Sequence, residues 1–268
     1  MAKIKYIKTL STSLKAVNDI LVKEKPVIGV KCLGCNVGEH GGRITLVAVS
    51  CWDGQMYLFD LRTNKAIMYD GGLLRLFQST ELLKVFHDCG PDSATLLQQF
   101  SVKLRNFFDT QIAYSIVMER SGLSPRLVSF PQLCDVYHQV LHNPSEDFQR
   151  LLIQDPNVWA RRPCTDDMLH VAASFVHPLV PVLFVELDKM LPPDSDAWFL
   201  HRCEESRQSR LKSRSLKNGQ KIKCSKDHSS GVRNLFGTHF CICPSCVSNM
   251  GTSQNYQQTC NTNAANVQ

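Results

Sequence analysis

The sequence predicts an α/β fold, in which a mixed sheet is flanked by helices. Two observations support this prediction. Three short apolar runs separated by tight turns indicate antiparallel strands, and the later apolar runs alternate with segments of helical spacing. A chain of 268 residues with 43% hydrophobic residues is also long enough to bury one sizeable core.

The first 60 residues are predicted to contain one helix and three strands. Apolar side chains recur at helical spacing over residues 12–23, which predicts the helix. Pro26 introduces the first strand, and a glycine-rich turn at 38–42 leads to the second. The tight turn Trp52-Asp53-Gly54 leads to the third. The predicted strands are residues 27–30, 44–49 and 56–59.

After residue 60, helices alternate with short strands. A helix over Leu73–Leu83 precedes a strand at 84–87, and a helix over 91–100 precedes a short segment that ends at 107–110. Helical spacing then continues to about Met190. We therefore predict one domain over residues 1–192.

The remaining residues, 193–268, have a different character. A further helix is compatible with residues 196–212. From His201 to Phe236 there are ten basic and three acidic residues, a charge of +7, whereas the rest of the chain has 20 bases and 21 acids, or −1. Residues 247–268 carry no charge and are rich in Asn, Gln, Ser and Thr. Such a composition predicts a basic and then Asn/Gln/Ser-rich tail that is largely disordered.

Targeting signals are weak in this sequence. The basic N-terminus leads into no uninterrupted apolar segment, which argues against a secretory signal. The longest apolar run, from Val171 to Val185, is interrupted by polar residues and prolines, so we expect it to be too short to span a bilayer. We interpret the twelve cysteines as mostly reduced thiols. These observations predict a cytoplasmic, intracellular protein without membrane contact.

Three segments carry motifs, in chain order. They comprise residues 27–34 with 43–46 and 57–60, residues 84–92 with 108–111, and residues 162–165 with 170–175. Together they resemble the exonuclease motifs of the ribonuclease D-like branch of the DEDD 3'-5' exonuclease family. The resemblance is strongest to the exonuclease 3'-5' domain-containing protein 1 family, which is linked to piRNA biogenesis. It covers about residues 14–190 and implies a ribonuclease H-like 3'-5' exonuclease fold with a mixed five-stranded sheet flanked by helices.

The activity of that family is two-metal phosphodiester hydrolysis, which needs oxygen ligands for two divalent cations. The family's motifs are an Asp-x-Glu pair, a single Asp and a Tyr-x-x-x-Asp pair. This sequence has Lys31 and Leu33, then Asp92, then Val171 and Phe175 at those positions. One of four carboxylates remains, so the resemblance implies a catalytically inactive member that binds no Mg or Mn cofactor.

We hypothesise that Lys31 pairs with Asp92 in place of a metal ion, while Leu33, Val171 and Phe175 make the pocket apolar. Asp92 also has a simpler interpretation, as an acid near a helix N-terminus that the helix dipole favours. The alternative to inactivity is an active exonuclease that uses Mg or Mn with surrogate ligands. The nearby acids that could serve are Glu39, Asp53, Asp60, Asp88 and Asp109.

Other polar residues have mainly structural interpretations. Thr165 is a helix N-cap followed by two acids, and His87 and Asp109 end strands beside the cleft. Cys32 is expected in the core and Cys35 in the following loop. Cys241, Cys243 and Cys246 lie near His239 and have zinc-like chemistry, but their spacing fits no common zinc finger, so zinc binding stays open.

Candidate nucleic-acid contacts lie in two places. In the domain they are Arg43 and Arg162, whose alternative interpretation is ordinary surface charge. In the basic segment they are Arg210, Lys212, Arg214 and Lys217, which would attract RNA phosphates without sequence preference, or else belong to a solvated linker. No aromatic residue lies between His201 and Leu235, so this segment offers no stacking platform.

These features together predict a catalytically inactive exonuclease-like protein that binds RNA or another single-stranded nucleic acid. By resemblance, it acts as a binding or scaffolding factor in small-RNA or piRNA processing, with protein partners from such a complex. The alternatives are the active exonuclease described above and a protein–protein adaptor that does not bind RNA.

Overall fold

The computed structural model describes residues 3–216, 231–233 and 239–241, with side chains described up to residue 208 except at position 193. The chain divides into a unit of residues 1–220 and a unit of residues 221–268. In the second unit β7 (Gly231–Arg233) pairs antiparallel with β8 (His239–Cys241). The tail that was predicted to be disordered, residues 193–268, lies mostly outside the described residues, so this prediction stays a prediction.

The first unit contains six described strands and nine described α-helices. The strands are β1 (Ile4–Ile7), β2 (Val27–Cys35), β3 (Arg43–Cys51), β4 (Met56–Asp60), β5 (Leu83–Phe86) and β6 (Phe107–Asp109). The helices are α1 (Leu10–Leu21), α2 (Leu73–Gln78), α3 (Cys89–Phe100), α4 (Thr110–Arg120), α5 (Phe130–Val136), α6 (Glu146–Gln154), α7 (Asp166–Ser174), α8 (Val185–Met190) and α9 (Asp196–Leu216).

The strands form one mixed sheet in the order β1-β4-β3-β2-β5-β6. β2, β3 and β4 are antiparallel neighbours, as predicted, while β1, β5 and β6 each pair in parallel. The fold class is therefore confirmed, but the sheet has six strands and not five. The additional strand, Ile4–Ile7, has the sequence Ile-Lys-Tyr-Ile, which is too short to show a period-two alternation and is a weak strand signal.

Two predicted boundaries need correction. The helix predicted over Leu73–Leu83 ends at Gln78, and Leu83 begins β5. The first predicted strand, 27–30, extends to Cys35, so Cys35 lies at the end of β2 and not in the following loop. Cys32 is buried in the core, as expected.

The segment from α7 to α8 packs closely against the sheet at Gly29 of β2. A Cβ atom at this position would lie 2.5 Å from the Ser50 hydroxyl oxygen and 2.9 Å from the Leu179 Cβ. The Ser50 hydroxyl also donates a 2.6 Å hydrogen bond to the Val176 carbonyl. The missing side chain at Gly29 therefore lets this helical segment approach β2, which places α7 beside the residues of the candidate site.

The same segment is longer than the interrupted apolar run suggested. The helical stretch Asp166–Met190 has 25 residues with a mean hydropathy of 1.8 over its most apolar window, enough by length and composition to cross a membrane. The expectation that it is too short was therefore wrong on length. The length and composition of this stretch are weak evidence for a membrane span, because buried helices in the core of a protein can have the same length and composition. Val180 and Leu183 are fully buried in this structure.

Helix α9 belongs to the first unit, which corrects the expected boundary at residue 192. Phe199 is buried with its ring 4.7 Å from that of Phe108 on β6, and Cys203 one turn later is also buried. The helix ends at Leu216, beyond the expected residue 212. These two anchors, four residues apart, hold the helix on the domain through one face.

Candidate functional site

The candidate site lies where β2 separates from β5. Their parallel pairing ends at Gly29, and beyond that point α3 brings Asp92 to the open edge of β2. One Asp92 oxygen accepts a 3.1 Å hydrogen bond from the Cys32 backbone N–H, and the other lies 3.2 Å from the Lys31 ammonium. The predicted ion pair between Lys31 and Asp92 is therefore present.

Burial differs sharply between the two partners of this pair. The Asp92 side chain is fully buried, whereas 28% of the Lys31 side chain is exposed. Burial lowers the pKa of Lys31, but the carboxylates of Asp92 and Asp88 and the hydrogen bond outweigh it and raise the pKa above its usual value. Lys31 is therefore a stable cation beside a buried carboxylate.

The structure also supports the helix interpretation of Asp92. It lies in the first turn of α3, where a carboxylate interacts favourably with the helix dipole. The bond to Cys32 adds a second structural role, because a buried edge amide needs an acceptor. Asp92 thus has structural reasons to be present that are independent of any metal ion.

Three further positions of the motifs are apolar and almost completely buried: Leu33, Val171 and Phe175. The Phe175 ring lies 6.2 Å from the Phe130 ring and 6.3 Å from the Trp159 ring. Sequence analysis did not identify Phe130 or Trp159 as neighbours of this site, because both come from segments outside the motifs.

The Thr45 hydroxyl places Trp159 next to β2. It lies 2.7 Å from the Trp159 carbonyl and 3.4 Å from the Leu33 carbonyl, so the 158–160 turn packs against β2 at Leu33. Leu33, two residues along β2 from Lys31, therefore forms an aliphatic and aromatic wall with Trp159 and Phe175. Such a wall offers surface for packing and no oxygen ligands for a cation.

These residues do not fit two divalent cations. Among the residues that the structure describes, no group of three or more His, Cys, Asp or Glu side chains is placed to hold a metal ion. Lys31 places a positive charge beside Asp92, the carboxylate that the resemblance assigns to metal binding. A two-metal hydrolysis cannot be derived from this geometry.

Three of the five possible surrogate acids are engaged elsewhere. Asp53 pairs with Lys23 at 2.5 Å, and Asp60 pairs with Arg162 at 2.6 Å. Asp109 accepts hydrogen bonds from three backbone amides at 2.8–3.0 Å, those of Asp88, Cys89 and Gln111. Asp109 therefore links the starts of α3 and α4, which agrees with its structural interpretation.

His87 also has a structural environment. Its Nε2 lies 3.0 Å from the Val128 carbonyl and its Nδ1 lies 3.0 Å from the Thr110 hydroxyl. Burial lowers its pKa to about 3, so the ring is neutral at physiological pH. The carbonyl requires the proton on Nε2, which leaves Nδ1 as an acceptor beside the Thr110 hydroxyl, and that hydroxyl also lies 3.0 Å from the Phe86 carbonyl, to which it can donate.

Arg162 is an internal anchor, which corrects its interpretation as a surface charge. Its guanidinium binds both oxygens of the buried Asp60, at 2.8 and 2.6 Å. It also donates to the carbonyls of Thr45, Trp159 and Arg161. All three of its nitrogens are therefore used inside the protein, and the geometry does not favour a phosphate contact.

The other candidate contacts are only partly described. Arg43 begins β3 and is exposed. Arg210, Lys212 and Arg214 lie in α9, but their side chains are beyond the described ones, and Lys217 is outside the described residues, as are Cys243 and Cys246. Cys241 and His239 lie in β8. The predicted N-cap is confirmed, since the Thr165 hydroxyl accepts from the Met168 amide at 3.3 Å.

Residues 21–192 match the family model described as 3'-5' exonuclease, and the chain belongs to this family. Curated relatives include the Egalitarian protein homolog of Caenorhabditis elegans, 27% identical over 213 residues, or 76% of this chain and 37% of that protein. Human piRNA biogenesis protein EXD1 is 31% identical over 177 residues, or 63% of this chain and 34% of that protein. The chain thus spans about a third of the length of these relatives.

Solved structures confirm the fold. The catalytic core of RRP6 from Trypanosoma brucei matches with a TM-score of 0.58 and 23% identity, over 79% of this chain and 52% of that chain. NrnC from Brucella melitensis matches with a TM-score of 0.58 and 17% identity, over 84% of this chain and 100% of that chain. At these identities the similarity establishes a common architecture and no more.

Proposed function

We propose that this chain is a member of the 3'-5' exonuclease family that binds RNA without hydrolysing it. The observation that carries the proposal is the ion pair between Lys31 and Asp92. Its ammonium supplies, within the protein, the positive charge that a metal ion supplies in two-metal hydrolysis. An ammonium cannot coordinate a water molecule and lower its pKa, so the nucleophile is not generated.

RNA is the proposed ligand for two reasons. The chain belongs to a nuclease family, and its relatives include proteins named for piRNA biogenesis. The chain also contains a basic segment that begins in α9, where Arg210, Lys212 and Arg214 lie within five residues. Charge of this kind binds phosphates without sequence preference and with strong salt dependence. We therefore propose a binding or scaffolding role in small-RNA processing.

The proposal is tested with a 5'-labelled single-stranded RNA incubated with Mn²⁺, beside an active 3'-5' exonuclease as a positive control. We expect no shortening of the RNA by the wild-type protein or by Asp92→Ala. In a parallel binding assay we expect affinity that falls steeply as salt rises.

Two results would contradict the proposal in different ways. Shortening by the wild-type protein that Asp92→Ala abolishes would show an active exonuclease that recruits metal through other ligands. An absence of both shortening and binding would favour the protein–protein adaptor.

A further inference from the structure

The start of α9 carries side chains that the core does not use. Trp198 is 46% exposed and Leu200 is 59% exposed, although Phe199 between them is buried. Because Phe199 and Cys203 anchor the helix from one face, Trp198 projects from another. A large ring left in solvent on an otherwise anchored helix is available to a ligand.

Trp198 is part of an ordered aromatic and cationic group. Its ring is parallel to that of His201 within 7°, with centroids 5.8 Å apart. The guanidinium carbon of Arg202 lies 5.4 Å from the Trp198 ring centroid. Arg202 is itself oriented by Glu119, whose carboxylate lies 3.8 Å away. The three side chains therefore present flat π surfaces of fixed orientation beside a positive charge.

We propose that Trp198, His201 and Arg202 form a stacking platform for the bases of single-stranded RNA. The inference rests on the proposed RNA-binding function and assigns it a site. Stacking on an aromatic ring accepts every base, because each base has a π face. Trp198 lies three residues before the stretch from His201 to Leu235, which contains no aromatic residue.

The charge that follows Trp198 along the chain favours RNA over a protein partner. From Arg207 to Lys217 there are five basic residues and no acid. Arg210 is about 18 Å along the helix axis from Trp198, so the platform and the basic residues that follow it lie on one continuous helix. Three of the nearby acids are paired, Glu204 with Arg207, Glu119 with Arg202 and Asp194 with Arg120, and α9 also carries Asp196 and Glu205. Stacked bases and an attracted phosphate backbone are the two parts of single-strand recognition.

The test compares two ligands on three variants. The ligands are a labelled oligouridine and an abasic ribose-phosphate chain of equal length, which keeps the charges and lacks the bases. The variants are Trp198→Ala, Trp198→Phe and Val140→Ala, the last a matched truncation of an apolar side chain that is 96% exposed. Unfolding temperatures check that each variant is folded.

We expect Trp198→Ala to weaken oligouridine binding by roughly 5- to 100-fold, the range for losing one stacked base. Binding of the abasic chain should not change, Trp198→Phe should retain most of the affinity, and Val140→Ala should bind as the wild type does. Oligouridine should also quench the tryptophan fluorescence of the wild type, and the quenching should be smaller in Trp198→Phe, because Trp52 and Trp159 remain in both proteins.

Three results would overturn the platform. Unchanged oligouridine binding by Trp198→Ala, with salt-sensitive binding by the wild type, would refute the platform and leave the proposed function standing. Equal weakening for both ligands would show a loss of charge contacts or of structure and no stacking. A wild-type protein that binds neither ligand would refute the platform and the proposed function together.

Discussion

Two buried aspartates, each with a basic partner, occupy different parts of the sheet. Asp60 at the end of β4 binds Arg162 through both oxygens and also accepts from Tyr6, Thr63 and two backbone amides. Asp92 beside β2 has one ammonium and one amide as hydrogen-bond partners. The side chain of Arg162 is 17% exposed and that of Lys31 is 28% exposed.

The difference shows what each site does for the molecule. Asp60 and Arg162 are fully hydrogen-bonded and join β4, the 158–160 turn and the Arg162–Pro163 segment, so they hold the scaffold together. Asp92 and Lys31 are bound by fewer groups and remain partly open to solvent. The pair of Asp92 and Lys31 therefore lies at the position of the family's metal site but lacks the oxygen ligands that a metal site needs.

The largest expected effect comes from breaking the scaffold pair. Arg162→Ala leaves the buried Asp60 carboxylate without its counter-ion, so we expect about 3–5 kcal/mol less stability in urea unfolding. Arg161→Ala is the control, because its pair with Asp155 is largely exposed on the arginine side and should contribute under about 1 kcal/mol. Equal effects of the two substitutions would contradict the scaffold role.

The second expected effect is a loss of stability at acid pH, caused by protonation of Asp60. Burial would raise the pKa of Asp60, but hydrogen bonds from Arg162, Thr63 and Tyr6 lower it to about 2, below its ordinary 3.8. A folded-state pKa below the unfolded value contributes stability above about pH 4, which is lost as the pH falls toward about 2. The shift corresponds to about 2 kcal/mol.

This loss is measured by urea unfolding of the wild type and Asp60→Asn between about pH 2 and pH 6. The variant should be less stable near neutral pH and should lose less stability on acidification. Parallel pH profiles for the two proteins would show that Asp60 is not the titrating group.

A smaller effect is expected at the candidate site. Lys31→Met removes the ammonium, but Asp92 keeps the Cys32 amide and can take up a proton, so we expect a loss of about 1–2 kcal/mol. The double variant Lys31→Met/Asp92→Asn retains an oxygen for that amide and no charge, and should recover most of the loss. If the double variant is as unstable as the single one, the ion pair does not account for the effect.

Local patterns in the sequence predicted much of this scaffold. Apolar runs and turn residues located β2, β3, β4 and β5, because a buried strand and a tight turn each leave a short-range signal. β1 was not predicted because the four residues Ile-Lys-Tyr-Ile are too few to show an alternating pattern and do not resemble a buried strand. The packing of α9 on the domain was not predicted because its polar composition hid the anchors Phe199 and Cys203, although their spacing is helical.

Only the residues of the candidate site that lie within a motif could be predicted from the sequence. The resemblance assigned Lys31 and Asp92 to one site, and the structure places them in contact. The pair of Asp60 with Arg162 spans 102 residues, and no local pattern indicates which distant partner a charged residue selects. Trp159 and Phe130 reach the site through tertiary packing, for the same reason.

The most direct test of the account is Mn²⁺ binding measured by calorimetry, since Mn²⁺ prefers oxygen ligands. The wild-type protein is compared with Asp92→Ala and with Lys31→Asp/Leu33→Glu/Phe175→Asp, which restores the family's acids at three positions. We expect no binding by the wild type that depends on Asp92, and new saturable binding by the restored variant. Saturable Mn²⁺ binding by the wild type that Asp92→Ala abolishes would contradict it.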